Sequence, residues 1–92
     1  MSLSKTVIGN NSMIGNHCSI GICNIGNHAK IGDRVVLQDG SVVGNHVTIE
    51  SGCIVEKGAR IGNHATIQAG SIIRAHAKVA SKTIISSGSI VV

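Results

Sequence analysis

The chain has 92 residues, twelve of them Gly; it lacks Phe, Tyr, Trp and Pro altogether, yet 42% of it is apolar. Aliphatic residues without a single ring exclude an ordinary mixed core, and a domain this short buries too little surface to be stable unless its fold is very regular or copies associate. A net charge of +4, with no aromatic stacking residue and no binding motif, argues against nucleic acid, and no apolar run approaches a membrane span or a secretory signal, so the chain reads as one cytoplasmic domain.

Residues 1–6 read as an N-terminal tail and residues 7–92 as a solenoid. Ile8, Ile14 and Ile20 recur every six residues, and the step continues from Ile25 through Ile31, Leu37, Val43, Ile49, Val55, Ile61, Ile67, Ile73, Val79, Ile85 and Val91. The single slip lies between Ile20 and Ile25, where one residue is missing. Two positions before each of these residues sits a small or slim one, such as Cys23, Ala29, Val35, Ser41, Val47, Cys53, Ala59 and Ala65. A separation of two is strand periodicity, so both residues point inward and the one between them faces solvent. A helix is excluded: a step of six is incommensurate with 3.6 residues per turn, and the Gly and β-branched content opposes helix formation.

Each hexad is therefore a short strand followed by a corner. Three positions after the aliphatic residue the chain places Gly40, Gly52, Gly58, Gly70 or Gly88, and elsewhere Asn11, His17, His28, Arg34, His46, His64, His76 or Lys82. Gly, Asn and His are among the residues that best tolerate positive φ, which predicts left-handed corners.

The hexads I-G-N-H-A-K at 25–30, V-G-N-H-V-T at 43–48 and I-G-N-H-A-T at 61–66 resemble the hexapeptide-repeat family, and the likeness extends over nearly the whole chain from Ile8. The resemblance implies an all-β fold, the left-handed parallel β-helix, in which three hexads make one triangular coil of eighteen residues. Fifteen aliphatic positions then give about five coils. It also implies parallel homotrimers and, in the family's acyltransferases, a His acting as general base at the groove between subunits.

Stacking the sequence at eighteen residues turns it into a surface map. Val36, Ile54, Ile72 and Ile90 form an outward aliphatic column that suits a subunit interface. His28, His46 and His64 form a second column beside Asn27, Asn45 and Asn63, with Asn10 and Asn11 upstream. Stacked parallel imidazoles on one edge do not converge on a common point, so this column reads as structural, with the Asn residues forming a ladder of side-chain amide hydrogen bonds, and no metal is expected. Arg60 and Lys78 share a third column, with Arg74 and Lys82 on neighbouring corners of the same end.

Three functions compete. The resemblance implies transfer of an acyl group from acyl-CoA to a hydroxyl or amine, with His76 as base and Arg60, Arg74, Lys78 and Lys82 near the donor phosphates, acyl-CoA being a cosubstrate and not a tightly bound cofactor. The segment I-I-R-A-H-A-K at 72–78 resembles a His-bearing coil of those enzymes. The bare repeat, with no long insertion to shape an acceptor site, suits a non-catalytic trimeric scaffold or interaction module. A γ-class carbonic anhydrase-like zinc protein is the third reading and requires His ligands from two subunits. Cys18, Cys23 and Cys53 occupy the inward small position and read as buried, reduced thiols. Val91 and Val92 end the pattern without a polar cap, an arrangement consistent with end-to-end stacking or with excision from a longer protein.

Overall fold

The computed structural model describes residues 7–92; the tail assigned to residues 1–6 lies outside the described residues. Among these, fifteen two-residue strands run from Val7–Ile8 to Ile90–Val91 with no helix between them. Every third strand pairs in parallel, which gives three five-stranded sheets and the three-sided, five-coil prism expected of the left-handed parallel β-helix. The first face carries Val7–Ile8, Asn24–Ile25, Val42–Val43, Arg60–Ile61 and Lys78–Val79; the second carries Met13–Ile14, Lys30–Ile31, Thr48–Ile49, Thr66–Ile67 and Ile84–Ile85. The third face carries Ser19–Ile20, Val36–Leu37, Ile54–Val55, Ile72–Ile73 and Ile90–Val91.

Register follows from the hexad. In the later coils partners are eighteen residues apart, as in Arg60↔Lys78, Thr48↔Thr66 and Ile54↔Ile72. Across the first coil the spacing falls to seventeen, as in Val7↔Asn24, Met13↔Lys30 and Ser19↔Val36. The missing residue belongs to the corner 21–23, where Ile22 takes the place opposite Asp39 and the left-handed residue has been deleted; no positive φ occurs there. All the other corners have one, at each of the predicted Asn, His, Arg, Lys and Gly positions, with φ between 58° and 79°.

The coils are stitched in both directions. Strand amides donate forward, as Val42 N–H does to the Ala59 carbonyl at 2.9 Å and Ile54 N–H to Ser71 at 3.0 Å. Left-handed corner amides donate backward, as His46 N–H does to Asn27 and His64 N–H to Asn45. A left-handed residue turns its amide against the direction of its neighbours, so one backbone conformation lets each of these corners close onto the coil behind it.

The core is a narrow stack of aliphatic and small side chains, with Val35, Val47, Cys53, Val55, Ala59, Ala65, Ile67 and Ile73 fully buried. Two serines join them because their hydroxyls are satisfied: Ser41 Oγ lies 2.7 Å from the Gln38 carbonyl of its own corner and 3.1 Å from the Glu56 carbonyl of the next coil, and Ser71 Oγ donates to the Ser86 carbonyl at 2.8 Å. The Cys53 thiol does the same toward the Gln68 carbonyl at 3.0 Å. The inward small position is thus also a place from which a side-chain donor reaches a corner carbonyl of the next coil.

Candidate functional site

The predicted site residues lie on the first and third faces and on the two edges that bound the first. On the third face Val36, Ile54, Ile72 and Ile90 stand in one register column, as predicted. The first three are half-buried by their own neighbours, whereas Ile90 is 60% exposed. The corner after this face carries Arg74, Ala75 and His76, and the chain then enters the first face at Lys78.

On that first face Arg60 and Lys78 are direct neighbours, both exposed, and line a shallow depression with Gly62, Asn63, Ala80 and Ser81. Lys82 sits at the far corner, with φ of 64°. Arg74 is engaged at the near corner: its Nε lies 3.7 Å from Glu56 Oε1, and the same oxygen accepts the Ala75 amide at 3.1 Å. The four basic residues therefore form a band around one face. Three of them, Arg60, Lys78 and Lys82, lie on the face or at its far corner, while Arg74 belongs to the near edge. His76 stands at that near edge and does not line the depression.

The imidazoles differ in their surroundings. His28 stacks on His46 with ring centroids 4.9 Å apart and planes within 9°, and His46 on His64 at 4.8 Å and 3°. Rings stacked this nearly parallel present their faces to one another, and among the described residues no group of three His, Cys, Asp or Glu side chains gathers to hold a metal ion. Their Asn neighbours do form a ladder, but its rungs differ from those expected. Asn27 Oδ1 accepts the backbone amide of Asn10, Asn45 Oδ1 that of Asn27, and Asn63 Oδ1 that of Asn45, each at 2.8 Å. Amide-to-amide contact gives way to side chain on backbone because the corner amide otherwise lacks a protein acceptor.

His76 stands apart from that stack. Its backbone amide donates to the Lys57 carbonyl at 3.0 Å, and its ring lies over Gly58 of the preceding coil. The three cysteines are free, and burial pushes the thiols of Cys23 and Cys53 above the ordinary value. A raised thiol is a poor nucleophile, in keeping with the structural reading of Cys23 and Cys53; Cys18, expected to be buried with them, is only half-buried.

Comparisons with known proteins agree with this architecture. The family model for the bacterial transferase hexapeptide (six repeats) matches residues 22–57. That match covers 36 of the 92 residues. The fold is similar to that of a solved hexapeptide transferase family protein from Anaplasma phagocytophilum, with a TM-score of 0.75 and 17% identity over 95% of this chain. The chain spans 58% of the length of that protein. No curated protein matches the sequence. Among the described residues no helix is long and apolar enough to cross a membrane.

Proposed function

We propose that this protein transfers an acyl group from acyl-CoA to a hydroxyl or amine at a groove between subunits of a homotrimer. The observation that carries the reading is the place of His76. Like His17 it stands outside the stacked column, and of the corner histidines it is the one that lies between the aliphatic third face and the basic first face. If Val36, Ile54, Ile72 and Ile90 pack against a neighbouring subunit, His76 borders the seam and takes the acceptor's proton as general base. Arg60, Lys78 and Lys82 then receive the donor phosphates, and Arg74, held by Glu56, flanks the base. Isothermal titration with CoA and acetyl-CoA tests this. Saturable binding that weakens in Arg60→Ala and Lys78→Ala, with turnover lost in His76→Ala, supports it; no heat at millimolar ligand overturns it.

The second reading is a non-catalytic trimeric scaffold, with end-to-end stacking as one mode of assembly. It is favoured by the uniform corners, which carry no long insertion between any two strands. In that case His76→Ala changes stability alone.

A further inference from the structure

The geometry points to Gly58 as a positioning residue for His76: its missing Cβ is the seat on which the imidazole rests, with Nδ1 turned toward the glycine. The inference rests on the reading of His76 as a base, and its structural part is tested independently of any activity.

Gly58 has φ of +71°, and positive φ alone would account for a glycine. Gly52 and Gly70, with φ of +76° and +75°, have that requirement and no other, since a Cβ on either would meet only a backbone nitrogen of the next coil, at 3.9 and 4.0 Å. Gly58 differs. A Cβ there would fall 2.5 Å from His76 Nδ1, 2.7 Å from Cε1 and 3.4 Å from Cγ, so no side chain fits beneath the ring as it stands.

The column explains why this happens at one edge. Along the His28, His46 and His64 column each ring has another ring beneath or above it, at the 4.8–4.9 Å pitch of the coils. Along the corner of His76 the residues beneath are Gly58 and Gly40. With no side chain to stack on, the imidazole settles onto backbone. The Nδ1–Cε1 edge is turned toward the glycine, with Cγ behind it, so Nδ1 is the nitrogen that faces Gly58. A base whose orientation is fixed before substrate arrives loses less freedom on reaction than one that must be ordered then.

The test uses Asn at position 58, because Asn11 shows that Asn accepts φ of 60° in this fold, so the substitution adds a Cβ without demanding a new backbone. The histidine rings of the isotopically labelled protein are followed by NMR, with His76 assigned from His76→Gln. The unmodified protein is expected to show a nuclear Overhauser contact between His76 Hε1 and the Gly58 α-protons. In Gly58→Asn that contact is lost and the His76 ring resonances move, while Gly52→Asn leaves them in place. Absence of the contact in the unmodified protein overturns the proposal, and this holds even if Gly58→Asn fails to fold. His76 resonances equally displaced by both variants, or by neither, also overturn it. Failure of CoA to bind while the contact is present refutes the acyl-transfer reading and leaves the seating of the ring intact.

Discussion

At the scale of the residue, this fold uses glycine for two different physical reasons. Gly88 has φ of +73° and open space around its missing Cβ, whereas Gly62 has an ordinary φ but a neighbouring coil in its way. A Cβ at Gly62 would lie 2.6 Å from Ser81 N and 2.9 Å from the Ala80 carbonyl carbon, both of them backbone. Gly62→Ala is therefore expected to force two coils apart and cost about 3 kcal/mol, and Gly88→Ala to cost only about 1 kcal/mol of left-handed strain. Denaturant midpoints of the two variants check the order; equal losses would show that conformation alone sets the glycine pattern.

Buried thiols give a second residue-scale expectation. Cys23 and Cys53 have their pKa raised from 9.0, in both cases first by desolvation. Above that value the unfolded chain releases thiol protons that the folded chain retains, so folding stability falls as pH rises past about 9 and is unaffected by these groups below it. Chemical denaturation at pH 8 and pH 10 should show the fall, and the double variant Cys23→Ser, Cys53→Ser should flatten it.

At the scale of the element, a two-residue strand cannot hold itself, and the corners do much of the fastening. The Asn27, Asn45 and Asn63 side chains each accept an amide from the coil behind. Gln38, Glu56 and Gln68 accept amides from the coil ahead, those of Lys57, Ala75 and Ser87. Because these amides are near solvent, water replaces a lost acceptor in part. Asn45→Ala is expected to cost about 1 kcal/mol and to speed hydrogen exchange at the Asn27 amide, while exchange in the third-face strands stays unchanged. This fastening was only partly legible in the sequence. The Asn column was visible at eighteen-residue spacing, but spacing does not say whether an amide side chain meets its twin or the backbone.

At the scale of the whole molecule, the three faces differ in what they present to a partner. The column Val36, Ile54, Ile72 and Ile90 is a contiguous aliphatic strip, and its exposed end at Ile90 remains 60% open in the single chain. If it is the subunit seam, Ile72→Glu places a charge at its centre and should dissociate the assembly. Light scattering coupled to size exclusion reads this as a fall from trimer mass to monomer mass; a monomeric unmodified protein would remove the seam and the groove with it. The second face, with Lys30, Thr48 and Thr66 between Met13 and Ile84, is a useful control. Thr66→Glu there should leave the mass unchanged.

The sequence by itself determined the solenoid, its hexad register, the inward and outward residues and the corner position at which left-handed residues fall, although the tolerance of Gly, Asn and His does not account for Arg34 and Lys82 there. All of these follow from a period of six combined with the strand period of two, and a pattern copied fifteen times leaves no competing fold consistent with it. It also placed the one-residue deletion between Ile20 and Ile25, while the tertiary structure showed that the residue removed was the left-handed one. Only the three-dimensional arrangement decided how side chains at equivalent positions diverge. His46 and His76 occupy the same place in the hexad, but one stacks on imidazoles and the other rests on Gly58. Arg74 and Lys78 carry the same sign four residues apart, but one is paired with Glu56 while the other faces solvent beside Arg60. The repeat sets where a side chain begins; what lies in the coil beneath sets where it ends.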